Sequence, residues 1–561
     1  MEDNDHNSGT QELEEQILRI DHHGLVAAMI EDLELVSFID SRIPKESHHQ
    51  ISHGQAFAAM IHMCLAFENR RLYKTADIFE EIAVHRLFGP GVQAKNLNEF
   101  TMGRTLDAIF DAGPTKLFTE LAIHLLPKIG EGQVQRFHAD TTSISVYGEY
   151  QQQLQTMNAV DEDNKEDDLD THIIEITYGY SKAHRPDLKQ FIIGLITNQH
   201  GIPFMMKAES GNASDKTSLN TIIQHNIATI QQRLSQDQKI VYIADSAFYT
   251  TENIQAMGSN NLFISHAPST LSLVKRLELA DLSFKPTRDK DYKIYITQGT
   301  WAGIKQTFAV IHSEMLRKNQ LKTFEKKINK EEEATRKKLK KACAQWFFCE
   351  KDARSMLKEF NTNNPLFEAV EEEITQATRK IETKEGERTT RMYKISATLQ
   401  RQEQAIKRHK DCLGRFVLAT NDRTLDGETI LKWYKEQDKV EKNFQWMKES
   451  TLRVSDVFLK KPERIMALVF VMVSTLIVHN LLEYILRKKL QETNETVKNI
   501  KKQPTQTPTV GMIFFQLRGI YETAVIGVES GNVVSRRVSK LNERKKKIID
   551  ILGGAFKKFY R

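Results

Sequence analysis

Ile240-Val241-Tyr242-Ile243-Ala244-Asp245 is the stretch on which the reading of the fold turns. Its apolar run is short and rich in β-branched and aromatic residues, so it reads as a central strand buried on both faces. The run ends in an aspartate, and a carboxylate there is costly unless it is paired or bound to a cation. Upstream, Arg136-Phe137-His138-Ala139-Asp140 closes on a second aspartate and leads into the alternating Ile144 and Val146. Between the two, Phe191–Thr197 and Phe204–Ala208 are apolar runs joined by Asn198-Gln199-His200-Gly201-Ile202-Pro203, which predicts a hairpin. A helix over about Asp215 to Leu234 follows, with Ser214 as its cap. Beyond Asp245 the pattern predicts a short helix, Thr251 to Met257, and a strand, Leu262–Ser265.

Three strands, a helix, a strand, a helix and a strand, with aspartates on the first and fourth strands, form an α/β pattern. It resembles the ribonuclease-H-like nucleotidyltransferase fold, a mixed sheet covered by helices. The third acid is Glu441, 196 residues beyond Asp245. That is far more chain than such a fold needs, so an insertion is expected from about Ala267 to Leu413. Its first part, with Tyr292–Thr297 and Phe308–His312, reads as β-rich. Its second, from about Leu316 to Lys410, reads as charged helices. The strand Phe416–Ala419 returns the chain to the core.

The expected organisation is therefore a disordered tail over 1–15 and an all-α N-terminal domain over 16–130 with a DNA-binding role. The catalytic core begins over 131–266, is interrupted by the insertion over 267–413, and resumes over 414–490 with the glutamate helix. A helical basic region fills 491–561. Breaks at Ile43-Pro44, Gly89-Pro90-Gly91 and Gly113-Pro114 divide the N-terminal part into short helices. The acidic run from Asp161 to Asp170 reads as a solvated segment rather than a metal site.

From Leu431 to Glu449 a helical advance of about 100° per residue puts Tyr434, Gln437, Glu441 and Lys448 within about 60° of arc. Trp433, Val440, Phe444 and Met447 form the adjoining apolar face. One stripe packs on the sheet while its neighbour presents a hydroxyl, an amide, a carboxylate and an ammonium to a cleft. Two aspartates and a glutamate are hard oxygen ligands, suited to two Mg2+ ions that clamp a phosphodiester during in-line displacement. Mn2+ is expected to substitute.

Tyr434, Gln437, Glu441 and Lys448 resemble the helix signature of the bacterial insertion-sequence DDE transposases of the IS-four-like superfamily. That signature is tyrosine, two residues, arginine, three residues, glutamate, six residues, lysine; here glutamine replaces arginine. Tyr178-Gly179-Tyr180-Ser181-Lys182 leading into His184-Arg185-Pro186-Asp187-Leu188-Lys189-Gln190 resembles the sixteen-thirty-four-like group of that superfamily. So do Gly201-Ile202-Pro203, Gly211-Asn212-Ala213-Ser214-Asp215 and Ser52-His53-Gly54-Gln55-Ala56. The resemblance implies that Asp140, Asp245 and Glu441 are the catalytic and metal-binding residues. It implies that Tyr434, Gln437 and Lys448 contact DNA, with Lys182, His184 and Arg185 beside them. Trp301 is a candidate for stacking on an unpaired base. The activity implied is cleavage at element ends and strand transfer into target DNA. The partners implied are double-stranded DNA (terminal inverted repeats and target), bound by a homodimer. The alternatives are a catalytically inactive DNA-binding protein of transposase descent, or a nuclease of the same fold without strand transfer.

Composition narrows the setting. Hydrophobic residues make up 40% of the 561 and charged residues 27%, ordinary for a soluble chain of two to four units. Cys64, Cys343, Cys349 and Cys412 include no CxxC pair, which argues for a reducing compartment and against a zinc site. The run Ile465 to Val478 is short of a membrane span and predicts a buried core helix, so no membrane role and a cytoplasmic, nucleoid-associated location are expected. Net charge is +5, and Arg536 to Arg561 carries ten basic residues against Glu543 and Asp550, suited either to phosphate contacts or to a solvated terminal helix. His22, His23, His48, His49, His53 and His62 show no ligand spacing matched by cysteine or acid, so surface or packing roles are expected.

Overall fold

The computed structural model describes residues 13–66, 75–129, 135–147, 150, 172–181, 185–234, 239–258, 260–383, 386–449, 459–527 and 533–561. The protein is mixed α/β, with a large mixed sheet and many helices. Contacts divide it into two units: Met1–Phe263 with Trp433–Arg561, and Ile264–Lys432. The acidic run Asp161 to Asp170 lies outside the described residues.

The first unit holds β1 (Leu13–Arg19), β2 (Arg136–Val146), β3 (Lys189–Asn198), β4 (Pro203–Ser210) and β5 (Val241–Ala244). Strands β4, β3, β2 and β5 lie in that order. The first three are antiparallel neighbours, while β5 runs parallel to β2 with Ala139 opposite Ala244. All four residues of β5 are buried, as a strand covered on both faces requires. The helix Asp215–Thr229 packs on β2, β3 and β4. Gly194 makes room for it: a Cβ there would sit 3.1 Å from Ile222 Cδ1.

The N-terminal helices share a core with a distant one instead of forming a body of their own. Helix Pro462–Glu492 packs against His53–Cys64, Glu99–Asp111, Pro114–Ile129 and β4. Phe470 meets Phe57 and Phe118 at ring distances of 5.4 and 6.2 Å. Arg464 fastens its first turn to Asp107 by two bonds of 2.6 Å. Among the described residues this is the one helix long and apolar enough to cross a membrane; 89% of its most apolar window is buried inside the protein. Burial on every side explains its hydrophobic circumference.

Two expectations are corrected. Order begins before residue 16, because Leu13–Arg19 is a strand, paired antiparallel with Tyr521–Gly527; residues 1–12 lie outside the described set. The C-terminal region is not simply helical, since Tyr521–Gly527 also pairs with Val533–Val538. Thr523, Val525, Ile526, Val533 and Val534 are β-branched and favour the sheet. Glu522 in this sheet is fully buried and takes a 2.6 Å bond from Arg86 Nε. The basic tail, read as suited to phosphate contacts or as a solvated terminal helix, also carries ion pairs. Arg537, Lys547, Lys557 and Lys558 lie within ion-pair distance of Glu15, Glu495, Asp550 and Glu31.

The second unit contains β6 (Leu262–Ala267), in which the chain leaves the first unit, then β7 (Lys285–Pro286), β8 (Tyr292–Trp301) and β9 (Ile304–Ser313). After β10 (Trp346–Phe347) come β11 (Phe367–Thr383), β12 (Gly386–Arg401) and β13 (Arg415–Thr420). Strand β13 lies between β6 and β9, antiparallel to both. Helices Glu314–Cys343, Glu350–Asn363 and Glu403–Cys412 match the charged-helix reading, but 367–401 does not. It is a long antiparallel hairpin. Ile395 and Leu399 are buried and Ala397 partly so, while Ser396, Thr398 and Gln400 are exposed, a period of two that the dense charge conceals. This unit has its own core of Phe324, Ile328, Leu357, Phe360, Phe367 and Ile395.

Candidate active site

The parallel register of β2 and β5 sets the two aspartates side by side. Ala139 faces Ala244, and the next residue on each segment is Asp140 and Asp245. Neighbouring strands lie about 4.8 Å apart, so the two carboxylates leave adjacent points of the sheet. Backbone amides fix one oxygen of each. Thr141 N–H donates to Asp140 Oδ1 at 2.7 Å and Ala247 N–H to Asp245 Oδ1 at 2.9 Å.

Glu441 arrives on a different element. The expected continuous helix is two, Gly427–Lys435 and Asp438–Glu449, separated by Glu436 and Gln437. There the backbone tightens to three-residue bonds, Gln437 N–H to Tyr434 O and Val440 N–H to Gln437 O. The kink changes the helical projection. Gln437 is 7% exposed, with Oε1 buried and without a hydrogen-bond partner, so it leaves the polar stripe and packs inward. Val440, Phe444 and Met447 are buried, as the apolar face predicts.

Tyr434 lies under the charge of all three acids. Burial is the largest cause raising its phenol pKa, and the negative charges of Asp245, Asp140 and Glu441 raise it further. A phenol that feels all three carboxylates lies within electrostatic reach of each, and it keeps its proton at neutral pH. Lys448 Nζ donates to Thr142 Oγ1 at 2.7 Å, two residues beyond Asp140 on β2. Thr141 Oγ1 donates to Asp215 Oδ1 at 2.8 Å, which brings a further carboxylate to the neighbourhood of β2.

Three contacts hold the glutamate helix to the sheet. The Arg136 guanidinium bonds Glu436 at 3.1 Å and lies 4.7 Å over the Trp433 ring. Asn443 and Asn480 both donate to Gly201 O, at 2.8 and 2.7 Å, and Asn480 donates to Asn443 Oδ1 at 3.0 Å. Gly201 has φ +80°, a conformation that favours glycine and turns its carbonyl to both amides. Lys439 Nζ donates to Gln199 O in the same turn. Sequence reasoning missed these positioning residues. The one available signal was the glycine-proline punctuation of the β3–β4 turn.

Other segments singled out in the sequence also converge. A Cβ on Gly179 would sit 1.9 Å from Gly211 O, and one on Gly211 2.1 Å from Gln190 O, so both positions require glycine. Gln190 Nε2 donates to Gly211 O at 2.8 Å and to Tyr180 O at 3.2 Å. Arg185 is bound to Asp187 at 2.7 Å. Lys182 and His184 lie outside the described residues. Trp301 ends β8 in the second unit, with its carbonyl bonded by Gln306 Nε2 at 3.2 Å.

Residues 15–123 match a family described as a domain of unknown function, DUF4277. No curated protein matches the chain.

The acids fit divalent cations by chemistry: hard oxygen donors, concentrated negative charge and a protonated phenol beside them. Among the described residues, the group of three whose ligand atoms all lie within 4.8 Å of one another is Glu46, His48 and His49, not these acids. A pair of ions about 3.5–4 Å apart spreads its ligands over a wider span than a single ion does.

Proposed function

We propose that the protein is a DDE transposase of ribonuclease-H-like fold, cutting DNA at the ends of a mobile element and joining those ends to target DNA. The observation that carries the reading is the β2–β5 register, which sets Asp140 beside Asp245, with the Tyr434 phenol under the negative charge of both and of Glu441. The strand order β4-β3-β2-β5, with β5 parallel to β2, supports it, because such a fold places its acids on those two strands.

Asp140, Asp245 and Glu441 would hold two Mg2+ ions, with Mn2+ an acceptable substitute. Such ions, when bound, lower the pKa of an attacking water and stabilise the leaving oxygen. The rest falls to the chain. Backbone amides of Thr141 and Ala247 fix the rotamers of the two aspartates. The neutral Tyr434 hydroxyl donates a hydrogen bond to a phosphate oxygen without adding charge. Lys448, poised on Thr142, offers an ammonium to the same backbone. The β3–β4 turn and Arg136 keep Glu441 in register with the strands. Cut-and-paste movement requires two DNA ends, so the working form is a dimer on inverted repeats, acting in the cytoplasm at the nucleoid.

The test uses a supercoiled plasmid carrying the reading frame with its flanking DNA, incubated with protein and Mg2+. Wild type should cut at both flanks and join pre-cut ends to a second plasmid. Asp140→Asn, Asp245→Ala and Glu441→Gln should each lose about 10^3-fold or more. End cleavage by Asp245→Ala at the wild-type rate overturns the site. Cleavage without joining replaces the transposase reading with a nuclease.

A further inference from the structure

The loop between helices Leu35–Arg42 and His53–Cys64 carries Glu46-Ser47-His48-His49. Its backbone folds into a turn closed by His49 N–H to Glu46 O at 3.0 Å, which returns His49 to the side of Glu46. His48 Nδ1 stands 3.5 Å from Glu46 Oε2, and both side chains are 66% exposed. One ligand atom from each of Glu46, His48 and His49 lies within 4.8 Å of the other two. The sequence reading found no acid at ligand spacing from these histidines, and it is the turn that supplies one.

We propose that Glu46, His48 and His49 form a binding site for a borderline divalent transition ion, zinc being the best fit. Zn–N and Zn–O bonds of about 2.0–2.2 Å at tetrahedral angles put ligand atoms roughly 3.3–3.5 Å apart, the separation of His48 from Glu46. That spacing is too long for a strong hydrogen bond and right for two atoms sharing one ion. Two imidazoles and one carboxylate exclude Mg2+, which prefers an all-oxygen shell. The three ligands leave a fourth position to water or a ligand, and His48 and His49 also line a cavity of about 390 Å3 with Gln50, His53, Asn98, Thr101 and Arg104. His53 Nδ1 is engaged by Thr105 Oγ1 at 3.1 Å and its ring meets that of His49 edge-on at 5.4 Å, which braces the His49 imidazole. Lys45 and Arg104 add positive charge near His49, which works against a bound cation. The ion would tie the loop to the start of helix His53–Cys64, whose cap Ser52 and Gln55 already close.

Co2+ is the probe, because a four-coordinate site gives it intense visible absorption that six-coordinate oxygen sites lack. The full chain, stripped with chelator and held in excess Mg2+ to fill any carboxylate site, is titrated with Co2+ and then Zn2+. One equivalent should bind at micromolar concentration with intense bands that Zn2+ abolishes. Asp140→Asn should bind unchanged. His48→Ala, His49→Ala and Glu46→Gln should each weaken binding about tenfold or more, a loss of roughly 1.4 kcal/mol. Circular dichroism checks that the variants fold, and the exposed His48 is the safest of the three. Failure to bind at about 100 µM overturns the proposal, as does binding that survives all three substitutions or disappears in Asp140→Asn.

Discussion

Lowering the pH from 7 to 5 should remove a large part of the first unit's stability, because three of its histidines are buried in the neutral form. Burial holds His22, His62 and His138 at pKa values of about 3, against an ordinary 6.5. His138 lies inside the sheet with both ring nitrogens unpartnered. The folded pKa is the lower of the two, so between about 3 and 6.5 the unfolded chain binds more protons and stability falls with falling pH. From about a unit above 6.5 the three contribute no slope. At pH 5 each group costs about 2 kcal/mol relative to pH 7, from 1.36 kcal/mol per unit over roughly 1.5 units, and the three together cost about 6. A domain of ordinary stability has about 5–15 kcal/mol in total, so that loss approaches unfolding. The assay is urea denaturation at pH 7, 6 and 5, followed by fluorescence; Trp433 and Trp446 report on this unit. His138→Leu should hold or raise stability at pH 7 and cut the loss between pH 7 and 5 by about 2 kcal/mol, since it removes one buried proton acceptor. A transition that does not move between pH 7 and 5, or a His138→Leu variant with the wild-type slope, refutes the argument.

Arg136→Ala should destabilise the first unit by about 3 kcal/mol, because it strands the half-buried Glu436 and uncovers Trp433; Arg136→Lys should recover only part in the same urea assay, having no planar group to stack. Asn443→Leu and Asn480→Leu should cost about 1 kcal/mol each while the double variant costs more than their sum, since either amide alone still satisfies Gly201 O; equal additive losses in a double-mutant cycle would sink the shared-acceptor reading. Gly179→Ala should lower stability by about 3 kcal/mol, because backbone rather than a movable side chain occupies the space, and a thermal midpoint equal to wild type would show that the two glycines do not abut.

How much the sequence reveals depends on how local the determining force is. The strand ending at Asp245 was legible because burial on both faces leaves a continuous apolar run. The hairpin of β3 and β4 was legible because Gly201 and Pro203 punctuate it. Tyr434, Glu441 and Lys448 were legible as a spacing, but the turn at Glu436 and Gln437 was not. Both residues suit a helix, and the interruption coincides with Arg136 holding Glu436 from 300 positions earlier. Leu13–Arg19 has the composition of a helix; pairing with Tyr521–Gly527 overrides that preference. In β11 and β12 abundant glutamate, lysine and arginine masked the two-residue alternation of Ile395, Ala397 and Leu399. Asn443 and Asn480 gave no signal, because an amide that bonds one distant carbonyl looks like any polar residue on a helix.

The pairing of Leu13–Arg19 with Tyr521–Gly527 has a consequence for biosynthesis. A ribosome adding about 5–20 residues per second emits the first of these segments roughly half a minute to two minutes before the second. Throughout that interval the amide and carbonyl groups that later bond Tyr521–Gly527 stay open to any extended peptide nearby. Nascent chains stalled short of residue 521 should therefore be the ones that chaperones retain and that aggregate when released, while the finished chain escapes both fates.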